Sequence, residues 1–298
     1  MKNLCPIIVS LLLFSCTQKN SIDEMGLQQS LDSLKNVTPQ IDQESVASVL
    51  QQIPSPLEIS MLLKQSGTAY NRSALNSPDH LSRYNSSYQK ALNLGIYGAD
   101  LGYTNLFGKN VDGIRYLSAI KSLANDLNIG QFFDAGTISR LVTHSSDLDS
   151  LLLVTTQSFN KINQHLQNQN RSNLSVLLLI GGWMEAMQII CEVAAQDTGN
   201  RALIERIGEQ KIVLEQLVLL LSFYTSDPNM TALYQDFEEL KTIYDKIEIT
   251  FTYVESTVKI VNGVAVITDN STTTIQISEA DALAIKEKIN SIRTKMTN

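Results

Sequence analysis

Apolar residues recur with a helical period over most of this chain. In residues 113–128 one helical face carries apolar side chains, namely Ile114, Leu117, Ile120, Leu123, Ala124 and Leu127. Similar long stretches cover residues 147–169, 174–196 and 200–224, and another follows Pro228, with short polar turns between them. Helices joined by short turns lie antiparallel to their neighbours. The pattern therefore predicts a mainly α protein, built as an antiparallel helical bundle or an irregular helical array.

The C-terminal region changes to a strand pattern. Residues 257–268 are rich in β-branched side chains on both sides of Asn262-Gly263, a dipeptide typical of tight hairpin turns. Residues 271–278 predict a third strand, and Ser278 begins a final helix. So few strands are not stable alone, and we expect this small β element to pack on the helical body. The alternative is that it pairs with the sheet edge of a partner.

The stretch from residue 93 to residue 108 contains four glycines among apolar and tyrosine residues. It does not fit a phosphate-binding loop, because no strand-like run precedes it and no Gly-Lys-Ser/Thr follows it. As a helix, it is expected to place five small residues on one face, namely Ala91, Gly95, Gly98, Ala99 and Gly102. A stripe of small residues lets a second helix approach closely, and Gly181-Gly182 is the predicted partner.

The alternative is a helix that breaks near Gly98 or Gly102 and lines a small ligand pocket between Gly95 and Gly108. Asp100 is the residue of interest, because a carboxylate in so apolar a stretch must lie at the solvent edge or be hydrogen-bonded. The candidate pocket residues are Tyr97, Asp100, Tyr103 and Trp183.

The N-terminal residues predict a targeting signal. Lys2 precedes an apolar segment, residues 4–14, that is too short to span a bilayer as a mature helix. The end of this segment and the two residues after it read Leu13-Phe14-Ser15-Cys16. This sequence resembles the lipobox of bacterial lipoproteins of the Bacteroidota type. The resemblance implies cleavage before Cys16 and lipidation of that residue, so that acyl chains anchor the protein in a membrane. Thr17 rather than Asp follows the cysteine, which by the same resemblance favours the outer membrane. We expect the protein to lie on the periplasmic face of that membrane rather than on the cell surface.

These patterns divide the chain into four parts. Residues 1–15 are the predicted signal peptide, and residues 16–25 are the lipidated cysteine and a polar tether. Residues 26–255 form the predicted helical body, which is long enough to bury a sizeable core. Residues 256–298 form the β-hairpin and the terminal helix.

Charge and motifs exclude several function classes. The chain has 23 basic and 30 acidic residues, and this net charge of −7 argues against a nucleic-acid partner. Neither a GxSxG nor an HExxH motif occurs in the sequence. Cys191 lies on an apolar helical face, where we expect a buried and inert thiol. We therefore expect no enzymatic activity, no cofactor and no metal.

Glu185 and Glu192 are the strongest candidates for catalysis, because glycoside hydrolysis requires a pair of carboxyl groups. They lie seven positions apart on an otherwise apolar helix and so share a face. We expect this face to be the solvent stripe of the helix, and the alternative is a buried acid pair in a hydrolase.

The sequence predicts a lipid-anchored cell-envelope protein. Its expected role is that of a non-enzymatic accessory or scaffold subunit of an outer-membrane assembly, with an envelope protein as partner. The alternative is a periplasmic module that binds a small ligand or a glycan in the pocket near Gly95 and Gly108.

Overall fold

The structure, a computed structural model, is mainly helical and ends in a small β element and a final helix, which confirms the predicted fold class. It describes residues 46, 48–50, 53, 59, 61, 63–64, 67–133, 148–197, 199–261 and 264–298. All of these belong to the unit Ile41–Asn298, one of two compact units into which the chain divides. The predicted signal peptide, Cys16 and the tether lie outside the described residues, as does the Asn262-Gly263 turn.

The described elements are numbered here in chain order. Short 3₁₀ turns cover Arg72–Ala74, Pro78–Arg83 and Gly130–Phe133. The helices are α1 (Ser87–Leu106), α2 (Asn110–Asp126), α3 (Leu148–Asn168), α4 (Ser172–Gln196), α5 (Arg201–Ser222), α6 (Pro228–Tyr244) and α7 (Glu279–Thr297). The strands are β1 (Glu248–Thr252), β2 (Thr257–Val261), β3 (Val264–Thr268) and β4 (Thr272–Gln276).

Side chains at the N-terminal ends of the helices explain where several of them begin. Ser86 accepts a hydrogen bond from the backbone N–H of Gln89, whose side chain accepts from the backbone of Ser86 in return. Ser278 forms the same reciprocal pair with Asp281 at the start of α7. Such caps satisfy N–H groups that have no partner inside the helix, and each contributes about 1 kcal/mol.

Helix α4 is the centre of the fold. Every residue from Leu174 to Cys191 is buried, because α4 contacts α1, α3, α5 and α7. This helix of 25 residues contains an 18-residue window with a mean hydropathy of 1.8, which would suit a membrane span, but the whole window is buried inside the protein. A helix that is apolar all round and covered by other helices is the core helix of a large helical body.

The glycine stretch is the contact surface of α1 on α4. A Cβ atom added to Gly95 would lie 2.0 Å from the backbone oxygen of Leu178, and one added to Gly181 would lie 2.0 Å from the backbone oxygen of Leu92. The two backbones therefore touch through reciprocal glycines, as the small-residue stripe predicted. Gly98 is exposed and does not belong to this contact. Gly108, at a φ of 65°, forms the turn after α1.

The four strands form two antiparallel pairs, β1 with β4 and β2 with β3. Strand β1 was not predicted from the sequence, and its pairing with β4 makes a base that packs on α5. Ile275 of β4 and the following Ile277 are buried there, and Ile275 contacts the position of Gly208. The base of the β element thus packs on the helical body, as expected.

We predict opposite effects for alanine at two glycines of α1. Gly95→Ala is expected to destabilise the protein by about 3 kcal/mol or more, because the new Cβ would overlap backbone atoms of α4. Gly98→Ala is expected to stabilise it by about 0.5–1 kcal/mol, because alanine favours the helix and meets no atom there. Urea unfolding followed by far-ultraviolet circular dichroism measures both changes. A similar loss of stability in the two variants would contradict the close contact.

Candidate functional site

Three charged side chains meet in the interior between α1, α4 and α7. Asp100 of α1 and Glu185 of α4 are completely buried, and Arg293 reaches them from α7. The Nε and Nη2 atoms of Arg293 each lie 2.6 Å from one carboxylate oxygen of Glu185. This bidentate geometry is the strongest form of an arginine–carboxylate pair. We call Asp100, Glu185 and Arg293 the buried charge cluster.

Asp100 is the unusual member of the cluster. Among the described residues, no donor makes a hydrogen bond of ordinary geometry to either of its carboxyl oxygens. Burial raises its pKa well above the ordinary value, and the charge of Glu185 and a hydrogen bond to Glu185 raise it further, whereas Arg293 and the backbone N–H of Asn76 lower it. A protonated Asp100 can donate its O–H to Glu185, and the cluster then carries no net charge. Protonation is thus what makes burial of the second carboxyl tolerable.

Arg293 stays charged in this environment. Burial acts to lower its pKa, but the charge and the hydrogen bonds of Glu185 outweigh that effect, so that the pKa is raised overall. Its Nη2 atom also donates to the backbone oxygen of Ala74 at 3.3 Å. The guanidinium therefore links the last helix both to α4 and to the segment that precedes α1.

Residues 74–77 cover the cluster, and tyrosines hold this segment in place. The Tyr116 hydroxyl donates to the backbone oxygen of Asn76 at 2.8 Å, and the Tyr97 hydroxyl donates to that of Ser77 at 2.9 Å. The Asn76 side chain donates in turn to the hydroxyl of Tyr84 at 3.1 Å. The ring of Tyr97 packs between those of Tyr84 and Tyr116. These contacts keep solvent away from Asp100.

The four predicted pocket residues are interior residues. Tyr97, Asp100 and Tyr103 are fully buried, and Trp183 is 1% exposed. The Tyr103 hydroxyl accepts from the backbone N–H of Asn71 at 3.0 Å, and the Trp183 indole donates to Gln210 Oε1 at 3.1 Å. Helix α1 runs without a break from Ser87 to Leu106, so the prediction of a helix broken near Gly98 or Gly102 was wrong.

A pocket with a volume of about 200 Å³ opens beside residues 74–77, and none of the four predicted pocket residues lines it. Two arginines face it, but each is already paired with a carboxylate. Arg72 lies 2.8 Å from Asp112, and Arg115 lies 2.9 Å from Asp79. The remaining lining residues are Leu75, Ser77, Pro78 and Tyr116. Because the positive charges are neutralised within the protein, this pocket offers no strong site for an anion.

Glu185 and Glu192 do not form the expected solvent stripe, and that prediction was wrong for Glu185. Glu185 is fully buried in the cluster, whereas Glu192 lies at the edge of the protein, 3.1 Å from Lys286. A hydrolytic pair must reach substrate and water, and Asp100 and Glu185 reach neither. The buried charge cluster is thus arranged as a cross-link between helices.

Metal and thiol chemistry have little support in the described part of the chain. No group of three or more His, Cys, Asp or Glu side chains is placed to hold a metal ion there. Cys191 is buried on α4, and burial raises the pKa of its thiol to about 12. A thiol with so high a pKa is inert at neutral pH.

The exposed surface of interest is a long β-ribbon, residues 248–276, which we call the β-arm. Its base is the β1–β4 pair, and its outer part is the β2–β3 pair. Every side chain described in β2 and β3 is exposed, including Ile260 at 79% and Ile267 at 71%. Several other large apolar side chains of the arm are exposed as well: Phe251, Tyr253, Val254, Val258 and Val266.

The outer part of the arm has one apolar face. Val258 pairs with Ile267 and Ile260 with Ala265, and cross-strand partners lie on the same face. The opposite face carries Thr257, Lys259, Val266 and Thr268. We call Val258, Ile260, Ala265 and Ile267 the apolar face of the arm. Exposed apolar patches are common at the surfaces through which proteins interact.

Comparison of the chain with protein-family models, with curated proteins and with solved structures finds no match.

Sequence reasoning located the hairpin but not its exposure. Polar and apolar residues alternate in 257–260, but residues 264–267 are all apolar, so the sequence does not show which face of the hairpin is apolar or whether a helix covers it. Arg293 was missed altogether, because it lies 108 positions from Glu185 and no local pattern connects them.

We predict that Asp100 makes stability depend on pH. In the unfolded chain an aspartate has a pKa of about 3.9, and in the folded protein that of Asp100 is raised. The contribution of Asp100 to stability is therefore fully present below about pH 4 and is lost as pH rises through the folded pKa, by up to about 1.4 kcal/mol per pH unit. Asp100→Asn removes this loss, because an amide does not ionise.

Urea unfolding from pH 5 to pH 8 measures the effect. The free energy of unfolding of the parent protein minus that of Asp100→Asn should fall as pH rises. Asp281→Asn is the matched control, because hydrogen bonds from Ser278 lower the pKa of Asp281, so that its carboxyl is ionised throughout this range. A constant difference for Asp100→Asn would show that Asp100 is ionised in the folded protein.

Proposed function

We propose that this protein is a lipid-anchored, non-enzymatic cell-envelope protein that docks on a protein partner through the apolar face of its β-arm. In this proposal it serves as an accessory or scaffold subunit of an outer-membrane assembly, on the periplasmic face. The exposed apolar face of the arm is the observation that carries the proposal. The lipobox-like sequence ending at Cys16 supplies the anchor.

The chemistry of the arm defines the surface of the partner. The apolar face contains no charged or hydrogen-bonding side chain, and Lys259 points to the opposite side. Such a face gains free energy only by burying apolar area, at about 25 cal/mol per Å². The partner must therefore present an apolar patch, and a charged ligand such as a nucleic acid is a poor fit.

Helix α5 holds the base of the β-arm in place. Arg201 donates to the backbone oxygens of Ile275 and Ile277, and Lys211 donates to that of Ile247, so α5 holds both ends of the arm base. A well-held base presents the outer strands in a defined direction. This arrangement suits docking better than it suits catalysis.

Small-ligand or glycan binding remains the alternative proposal. Its predicted residues between Gly95 and Gly108 are buried and engaged with the protein. It would now rest on the pocket beside Arg72 and Arg115.

The test is an affinity purification of the lipidated protein from its own envelope in mild detergent, with two arm variants. Ile260→Asp places a charge on the apolar face, and Thr257→Asp places the same charge on the opposite face of the same strand. We expect a stoichiometric envelope partner that is reduced about tenfold or more by Ile260→Asp, a loss of about 1.4 kcal/mol, and is retained with Thr257→Asp. Cys16→Ala should lower its yield, because anchoring places both proteins in one membrane.

Two results would overturn the proposal. One is a partner that both arm variants retain equally. The other is that the Cys16→Ala protein binds vesicles of phosphatidylethanolamine and phosphatidylglycerol through Ile260, with no protein partner recovered, since the arm would then be a membrane-binding element.

A further inference from the structure

We infer that the free edge of β3 pairs with β3 of a second copy of this chain, antiparallel and about a two-fold axis at Val266. This inference rests on the proposed role of the β-arm as a docking element, and it names the occupant of one edge of the arm. The apolar face is left free for the envelope partner.

The outer part of the arm has two strands, and each has a single strand neighbour in the described structure. Each strand therefore leaves one edge with unpaired backbone N–H and C=O groups. Soluble proteins usually protect such edges with a charge, a proline or a covering segment. An edge without protection is a site for pairing with another strand.

The edges at the base of the arm are protected. Arg201 of α5 donates to the carbonyl of Ile275 in β4 at 3.3 Å. Lys211 donates to the carbonyl of Ile247, just before β1, and β1 itself begins with the charged Glu248. Pairing of a new strand is thus expected at the outer part of the arm.

The two outer strands differ in charge. Lys259 is the middle residue of β2, so antiparallel pairing of β2 with its own copy would set two lysines directly opposite each other. Strand β3 reads Val-Ala-Val-Ile-Thr and has no charge and no proline. Self-pairing of β3 sets Val266 opposite Val266, and Ala265 opposite Ile267. Of the two symmetric arrangements, pairing of β3 with its own copy is therefore the favourable one.

Pairing also supplies what an isolated ribbon lacks. A two-stranded ribbon is marginally stable in water, whereas three or more strands with an apolar face form a stable sheet. Two arms joined at β3 make a four-stranded sheet in the order β2–β3–β3–β2. The apolar faces of the two arms then lie side by side and form one larger docking surface.

Site-directed disulfide cross-linking tests the inference. Val266→Cys is introduced into the lipidated full-length chain in membranes, and copper–phenanthroline serves as the oxidant. Two thiols join with loss of two protons and two electrons, which the oxidant accepts. Directly opposite residues have Cβ atoms about 5 Å apart, so a strand movement of about 1 Å brings them to the roughly 3.8 Å separation of a disulfide. The parent thiol Cys191 is buried and should remain unreacted.

The control variant carries its thiol on the other outer strand. Thr257→Cys lies on the same face of the arm as Val266 but on β2. We expect Val266→Cys to give at least about tenfold more disulfide-linked dimer than Thr257→Cys, while both thiols react equally with a maleimide. A mixture of Ala265→Cys and Ile267→Cys chains should cross-link as well, because these two positions face each other across the axis.

The outcomes separate this inference from the proposed function. Equal cross-linking at both positions, or none at Val266 with a reactive thiol, would overturn the β3 pairing and would leave the affinity purification to decide the accessory role. Dimers specific to Val266 with no other protein recovered would support the pairing and overturn the role as a subunit of a larger assembly.

Discussion

The backbone contact between α1 and α4 is the constraint on which the rest of the structure depends. Gly95 and Gly181 bring the two backbones together, because any side chain at either position would overlap a carbonyl oxygen of the other helix. Five residues further along α1 lies Asp100, and four residues further along α4 lies Glu185. The contact therefore brings these two carboxyl groups of the buried charge cluster close together. Each glycine costs about 1 kcal/mol of helix propensity, which close packing of the apolar α4 offsets.

The cluster in turn fixes the C-terminal part of the chain. Burying two carboxyls beside one guanidinium is unfavourable unless one carboxyl takes up a proton, and burial and Glu185 both raise the pKa of Asp100 in that direction. Arg293 then joins α7 to the interior. Because only two residues separate the end of β4 from the start of α7, the same ion pair that anchors this helix also helps to fix the base of the β-arm.

Features with a local cause could be predicted from the sequence. The helical period gave the fold class, the small residues on α1 gave its contact with Gly181, and the Asn-Gly dipeptide gave the outer hairpin. Features that depend on distant residues could not. Glu185 resembles a solvent-stripe residue until Arg293 is placed beside it, and strand β1 has no partner until β4 follows it along the chain. Whether a helix covers the apolar face of the hairpin is likewise decided only by the whole fold.

The distribution of charge along the arm bears on how far its pairing can extend. An unprotected strand edge invites open-ended association, which leads to aggregation. Pairing through β3 places β2 at both outer edges of the resulting sheet, and Lys259 lies at the middle of each. A third arm that approached β2 with its own β2 would bring two lysines together in place of an uncharged strand. Such an arrangement favours association that ends at two copies. Anchoring through Cys16 would add to this by raising the local concentration of the arms in the membrane, so that a short edge contact is enough to hold the pair.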